Sequence, residues 1–284
     1  WSTGGSLNTA RHSLAGAGTS TAALGFGGDT PPVSALTESY DGTSWTEVND
    51  LNQARGALAG AGTQTSAIAA GGSTNPAVPT NVTSNETWNG TSWTEEGDLN
   101  TARSMLAGAG TNSESALVFG GNDPGGTRLA ITESWNGSAW TEVADLNTGR
   151  RQLAGIGTST SALAFGGETP AVAAVVALTE SWNGTSWTEL NDLNTARLGL
   201  AGAGADNTLA LAFGGQSPTV TAVTEDWDGV SWTEVADLST ARYALGGIGT
   251  QTAALAFGGL APAATTATEE WSSSSNVIKV ITTS

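Results

Sequence analysis

The sequence contains no cysteine, and among its 284 residues it has a single histidine, His12, and a single lysine, Lys279. Without cysteine the chain can form neither a disulfide nor a thiolate metal site, which leaves its redox compartment open. One histidine excludes histidine clusters and repeated His-based triads. We therefore expect a protein that is not an enzyme and that uses no metal and no cofactor.

Positive charge is also scarce, with nine Lys and Arg residues against 26 Asp and Glu and a formal net charge of −17. Binding to nucleic-acid phosphates or to anionic lipid needs clustered positive charge, so we expect no nucleic-acid partner. No stretch approaches the roughly 18 to 20 apolar residues of a membrane span, and we expect no membrane insertion. The chain opens on Trp1 without an initiator methionine, which suggests a processed product, an excised domain or part of a longer polypeptide.

A unit of about 45 residues is repeated six times. Each copy has one arginine and, further on, a Gly-Gly doublet. The arginines are Arg11, Arg55, Arg103, Arg150, Arg197 and Arg242. A repeat of this length whose units are composed of strands is typical of the blades of a β-propeller. We predict an all-β fold, a six-bladed β-propeller of four-stranded antiparallel blades, as a single domain over residues 1–275.

Each repeat has the composition of four strands. The first is rich in Gly and Ala, as in Leu200 to Gly204, which suits strands that converge on an axis. The second ends in Phe-Gly-Gly, except that Ala70 replaces Phe in the second repeat. The third carries Glu and an aromatic residue two positions apart, and an Asn-Gly or Asp-Gly hairpin turn separates it from a fourth strand that begins with Trp.

The Gly-Gly doublet and the two spaced aromatic residues of each repeat resemble the kelch-repeat family of propellers. The likeness covers nearly the whole chain, although the blades lack a proline before the arginine and have Ser-Trp or Thr-Trp where Val-Tyr is usual. The Ala-, Thr- and Gly-rich texture also resembles the near-identical kelch-like arrays of marine bacteria and their phages. This second likeness implies no site residue.

Closure of the ring depends on the chain ends. Trp1 precedes Leu7 by six residues, as Trp45 precedes Leu51, so residues 1–7 match the missing fourth strand of the last blade. Such a closure removes both open edges of the ring. The alternative places Val277 to Val280 in that position, after Trp271 and with one extra loop residue. We favour Trp1, which preserves the Trp and the register and leaves 276–284 as an added edge strand or exit segment.

The six repeat arginines allow two interpretations. They could form a ring of guanidinium groups near the axis that binds a carboxylate or sulfate. Alternatively, each could pair with a repeat carboxylate, either the third-strand Glu or the Asp five residues before the arginine. We favour the structural pairing because these carboxylates recur as regularly as the arginines. It predicts that side-chain nitrogens of Arg55, Arg103, Arg150 and Arg197 lie within about 4 Å of a carboxylate oxygen.

The paired tryptophans also allow two interpretations. The fourth-strand residues are predicted to be structural and are Trp1, Trp45, Trp93, Trp140, Trp187 and Trp232. The third-strand residues are Trp88, Trp135, Trp182 and Trp227, which could stack on sugar rings as one site per blade of a multivalent lectin. The favoured interpretation packs at least one Trp of each pair between blades. A calcium ion is conceivable at Glu225, Asp226 and Asp228, but a solvated acidic turn is favoured.

The segments that vary in length and content follow the Gly-Gly doublets and span 29–37, 73–85, 122–132, 168–179, 216–224 and 260–268. They should share one face with the inter-blade connections, and Arg128 is a candidate anchor for a partner. Alternatively, these loops vary in length between repeats and have no role in binding. We expect a structural or interaction propeller on an extracellular or virion surface, such as a phage appendage, within a larger assembly. A protein partner or host attachment is expected, and a surface glycan is the alternative.

Overall fold

The computed structural model describes residues 1–75, 80–170 and 174–273. In these ranges the chain forms 24 β-strands and no helix, arranged as six four-stranded antiparallel sheets. The innermost strands of neighbouring sheets pack side by side, and the last contacts the first, so that the sheets close into a ring. The predicted all-β, six-bladed propeller is confirmed.

Five blades are continuous in sequence. Blade 1 contains β2 (Ala15–Thr19), β3 (Ala22–Phe26), β4 (Thr37–Tyr40) and β5 (Trp45–Glu47); blade 2 contains β6 (Ala59–Thr63), β7 (Ser66–Ala70), β8 (Asn85–Trp88) and β9 (Trp93–Glu95); blade 3 contains β10 (Ala107–Asn112), β11 (Ser115–Phe119), β12 (Thr132–Trp135) and β13 (Trp140–Glu142); blade 4 contains β14 (Ala154–Gly157), β15 (Ala162–Phe165), β16 (Thr179–Trp182) and β17 (Trp187–Glu189); blade 5 contains β18 (Ala201–Asp206), β19 (Leu209–Phe213), β20 (Thr224–Trp227) and β21 (Trp232–Glu234).

Blade 6 joins the two ends of the described chain. It consists of β22 (Gly246–Thr250), β23 (Ala253–Phe257) and β24 (Thr268–Ser272), with β1 (Ser2–Thr3) as its outer strand. Ser2 lies opposite Glu270 and Thr3 opposite Glu269 in an antiparallel register. The predicted closure by the N-terminal strand is confirmed, whereas the rival strand at 277–280 and the segment 276–284 lie outside the described residues.

Glycine in the innermost strands permits the close approach of neighbouring blades. A Cβ added to Gly60 would come within 2.9 Å of Ala15 Cβ, Gly16 O and a ring carbon of Phe26. Contacts this short are repulsive, so a larger side chain here would push the strands apart. This packing explains the Gly and Ala composition of the first strand in each repeat.

The core lies between blades. In five blades the fourth-strand Trp packs on the second-strand Phe of the preceding blade, with ring centroids 4.8 to 5.1 Å apart. The Nε1 atoms of the same five indoles donate to the hydroxyl of a Thr that opens a third strand, as Trp93 does to Thr37 at 3.0 Å. Trp140 is the exception. It packs near Ala70, Asn85 replaces the Thr, and its Nε1 has no partner.

Candidate functional site

The repeat arginines are fully buried structural residues. Arg150 shows the contacts that it shares with Arg11, Arg197 and Arg242: Nη1 donates to Gly166 O at 3.0 Å and to Leu178 O at 2.8 Å, and Nη2 lies 2.7 Å from Glu180 Oε1. All six arginines lie 2.7 to 3.1 Å from a third-strand Glu, which confirms the predicted ion pairs. Burial lowers the pKa of Arg150, and Glu180 opposes that shift. The alternative of an open guanidinium ring is therefore wrong.

Each of these glutamates also anchors the connection between blades. In five blades its second oxygen accepts hydrogen bonds from the Asn three residues before the arginine, as Glu180 Oε2 does from Asn147 N at 2.7 Å and Nδ2 at 2.8 Å. The Asp five residues before the arginine has a different role. Asp192 Oδ1, for example, accepts from Thr179 N at the start of β16. The Glu thus holds the connecting segment against the blade that it enters, and the Asp holds the segment against the blade that it leaves.

The third-strand tryptophans cannot stack on a sugar. Trp88, Trp135, Trp182 and Trp227 are at most 3% exposed. Their Nε1 atoms donate to backbone carbonyls, for example Trp182 to Ser159 O at 3.0 Å. Each ring packs against the fourth-strand Trp of its own blade at 5.3 to 5.4 Å. The hypothesis that each blade has an exposed tryptophan site is therefore wrong, because these side chains are buried.

The propeller has two unlike faces. The segments after the Gly-Gly doublets and the inter-blade connections meet on one of them, where Gly28 N donates to Arg55 O at 3.0 Å and Leu51 N to Ala35 O at 3.0 Å. We call this the loop face. The opposite turn face carries the Asn-Gly and Asp-Gly turns. Here Gly184 has a φ of 94°, and Asn183 Oδ1 accepts from Thr185 N and Ser186 N.

Three residues of each blade are joined by isolated β-bridges on the loop face. The first follows the repeat arginine, the second follows the Gly-Gly doublet, and the third lies in the variable loop. We call them bridge triplets. They are His12–Asp29–Val33, Gly56–Ser73–Asn81, Ser104–Asn122–Arg128, Arg151–Glu168–Val175, Leu198–Gln216–Val220 and Tyr243–Leu260–Ala264. No two triplets have the same residues, although the blades that carry them are nearly identical.

The bridge triplets surround a continuous ring of backbone hydrogen bonds at the axis. Six residues just before the innermost strands each donate an N–H to the carbonyl of their counterpart in the preceding blade of the ring, at 2.7 to 2.9 Å. They are Ser13, Ala57, Met105, Gln152, Gly199 and Ala244. All six have a left-handed φ between 52° and 60°. This ring ties the six blades together at the centre of the loop face.

Side chains of the bridge triplets cross from one blade to the next. Arg128 Nη2 of blade 3 is paired with Glu168 Oε1 of blade 4, and Glu168 Oε2 also accepts from Arg151 Nε at 2.9 Å. The side chains of Arg128 and Arg151 are 21% and 26% exposed, so these are the two arginines that reach solvent. Two guanidinium groups on one carboxylate leave one positive charge on a strongly acidic chain.

A cavity of about 290 Å³ opens between the triplets of blades 1 to 4. It is lined by Asp29, Gly56, Asn122 and Arg151 and by Met105 of the backbone ring. Sequence reasoning identified Asp29 and Asn122 only as loop residues and gave no role to Gly56 or Arg151. The available signal was that the residue just after each repeat arginine differs in all six repeats.

His12, Ser13 and Asp29 lie together at the edge of this cavity but do not form a catalytic triad. His12 Nδ1 lies 3.1 Å from Ser13 Oγ and 3.7 Å from Asp29 Oδ2, so one ring nitrogen faces both groups. A triad needs serine on one imidazole nitrogen and the carboxylate on the other. Burial lowers the pKa of His12, with Asp29 opposing the shift, and burial raises the pKa of Asp29.

A proton NMR titration of His12, the single histidine, should therefore give a pKa below the ordinary value of about 6.5. Asp29→Asn should lower that pKa further, since the carboxylate stabilises the imidazolium. Asp123→Asn, which alters an acidic residue of another loop, should leave it unchanged. An increase in the pKa of His12 in Asp29→Asn would contradict this arrangement.

The acidic cluster in blade 5 is divided among structural roles. Glu225 pairs with Arg197, Asp226 accepts from Gln251 Nε2 at 2.7 Å, and Asp228 accepts from Val230 N and Ser231 N in the turn. In the described part of the chain no three His, Asp or Glu side chains are grouped so as to hold a metal ion.

Among the described residues no helix is long and apolar enough to cross a membrane.

Compared with known protein families and with curated protein sequences, the chain matches none of them.

Proposed function

We propose that this chain is a non-enzymatic recognition propeller that binds a protein partner through its loop face. The observation that carries the proposal is the contrast between scaffold and bridge triplets. The buried Arg–Glu pairs and most packed tryptophans recur from blade to blade, whereas all six triplets differ. A face with six different sectors can select one asymmetric partner, whereas a uniform face offers repeated weak contacts.

Arg128 is the proposed anchor for the partner. Its guanidinium is partly exposed, and with Arg151 it gives the Glu168 cluster a net positive charge. Arg128 Nε is buried without a hydrogen-bond partner, so the side chain is not satisfied by its own protein. An acidic side chain of the partner would complement this cluster, and arginine is enriched among residues that dominate interface energies.

We further propose that the domain belongs to the kelch-like propellers and is displayed on an extracellular or virion surface, such as a phage appendage. The near absence of lysine and the acidic composition support this proposal, as does the resemblance of the Ala-, Thr- and Gly-rich repeats to arrays of marine bacteria and their phages. Mass spectrometry of fractionated source material should find the chain in the particle or extracellular fraction. Its recovery from the cytosolic fraction alone would contradict the proposed location.

No specific observation favours the lectin alternative. It required one exposed tryptophan per blade, and Trp88, Trp135, Trp182 and Trp227 are buried. The blade-specific surface lies instead on the loop face, where the sectors differ and cannot provide six equivalent sugar sites.

Site-specific photo-crosslinking in the native assembly tests the loop face. A crosslinking residue in place of Thr127, next to Arg128, should capture one foreign chain. The same residue in place of Thr185, in an exposed turn on the opposite face, serves as the matched control and should capture none. Adding Arg128→Ala to the Thr127 variant should reduce the crosslinked fraction several-fold, because hot-spot arginines cost about 2 kcal/mol or more when truncated. Equal capture from both faces would contradict the proposal.

A further inference from the structure

The cavity between blades 1 to 4 has two buried acceptor oxygens without partners. Asn122 donates through Nδ2 to Asp123 O at 3.0 Å, which fixes the orientation of the amide and leaves Oδ1 unpaired. Asp29 Oδ1 also accepts no hydrogen bond. Both residues line the cavity, and Asp29 is 7% and Asn122 4% exposed. Buried acceptors without a donor are costly, and among residues 1–75, 80–170 and 174–273 no donor reaches these two oxygens.

Gly56 leaves the space into which one of these oxygens projects. A Cβ at position 56 would collide with Asp29 Oδ1, so the carboxylate of blade 1 lies directly over the glycine of blade 2. The corresponding residues of the other blades, such as Ser104 and Arg151, all have side chains. The cavity therefore depends on one glycine that breaks the pattern of side chains at this position.

Asp29 contributes a carboxylate to its side of the cavity, and this charge favours a cation there. Arg151 also lines the cavity, but it belongs with Arg128 to the Glu168 cluster, which carries a net positive charge, so the cation is expected beside Asp29. The volume of about 290 Å³ is roughly ten times the share of one liquid water and lies near the lower limit of small-molecule pockets. An ammonium group has three donors and no acceptor, which matches two unpaired acceptor oxygens.

We propose that this cavity binds a small primary alkylammonium ion, whose N–H groups donate to Asp29 Oδ1 and Asn122 Oδ1 while its short alkyl chain lies against Met105. The ligand could be a free amine or a lysine side chain of another protein, since both present the same group. This site goes beyond the proposed protein binding and does not depend on it, because it can be tested with small molecules alone.

Met105 is the single methionine of the chain and lines the cavity, so [¹³C-methyl]methionine labelling gives one NMR signal at the site. Titration of the intact protein at pH 7.5 with n-butylammonium should shift this signal saturably. Butyrate and n-butanol, matched in length, should not. Nα-acetyl-lysine methylamide distinguishes the two sources: equal or tighter binding than n-butylammonium indicates a lysine side chain, and markedly weaker binding indicates a free amine.

Three substitutions complete the test. Asp29→Asn should weaken n-butylammonium binding by about tenfold or more, the usual effect of losing one charge-assisted hydrogen bond. Asn122→Asp should tighten it, while Gln216→Glu adds the same charge at the equivalent position of blade 5, away from the cavity, and should not. The proposal is overturned if the three probes shift Met105 alike, if none binds, or if Asn122→Asp binds no more tightly than Gln216→Glu. Because Asn122→Asp predicts a gain, the test does not depend on whether Asp29→Asn folds.

Discussion

Replacing Arg150 by alanine is expected to lower the free energy of unfolding by about 3 to 5 kcal/mol, the usual loss when one partner of a buried ion pair is removed. The side chain is fully buried, and three oxygens depend on it: Gly166 O, Leu178 O and Glu180 Oε1. Alanine leaves the carboxylate of Glu180 buried without its counter-charge. Chemical denaturation of the purified variant measures the loss.

Arg151→Ala is the matched control, since the neighbouring side chain is 26% exposed and its partner Glu168 keeps a second guanidinium group, that of Arg128. We expect Arg151→Ala to lower the free energy of unfolding by less than about 1 kcal/mol. The double variant Arg150→Met/Glu180→Met should be more stable than Arg150→Ala alone, because it removes both charges and keeps most of the buried volume. A loss near zero for Arg150→Ala would show that the pair carries little of the stability of the blade.

The repeated features of the fold could be predicted from sequence because each one is determined within a single repeat. The Gly-Gly doublet has positive φ values, 66° and 99° at Gly27 and Gly28, which glycine adopts readily. The arginine and the third-strand glutamate recur together because each buried charge needs the other. Six copies of the same local pattern gave the same prediction six times. The fold and the Arg–Glu pairs could therefore be predicted from the sequence.

The candidate site could not be predicted in the same way because it depends on differences between repeats and on contacts across blades. His12 and Asp29 are 17 residues apart in sequence and become neighbours only through the bridge on the loop face. Gly56 matters because a side chain from another blade lies over it. The exposure of the tryptophans was also undetermined, since a repeated aromatic residue suits an inter-blade core as well as a ligand site.

The exception at Trp140 shows how strongly the repeats depend on one another. Blade 2 departs from the pattern twice, with Ala70 in place of Phe and Asn85 in place of Thr. Both departures affect the same indole of blade 3, which lacks the aromatic contact and the hydroxyl acceptor found at the equivalent tryptophans. A substitution in one blade thus changes the packing of the neighbouring blade, as expected when the core lies between repeats.

Weakening β1, the strand that closes the ring, should also lower the free energy of unfolding strongly. Trp1 packs on Phe213 at 4.9 Å and on Trp271 at 5.5 Å, and Gly4 N donates to Thr268 O at 2.9 Å. The double variant Trp1→Ala/Gly4→Pro removes the indole and this N–H. We expect a loss of about 3 kcal/mol for the partly buried indole and about 1 kcal/mol for the hydrogen bond. Thermal and chemical denaturation measure this loss.

The variant should also associate, because β24 then presents an unpaired edge to other molecules, and light scattering coupled to gel filtration detects this. Thr3→Ala, at an exposed position of the same strand, is the control and should change little. Removal of 276–284 is a second control. Because β1 closes the ring, this deletion should leave the melting temperature nearly unchanged. A larger loss from the deletion than from the double variant would instead identify the C-terminal segment as the closing strand, because whichever segment covers β24 must carry the stability of the last blade.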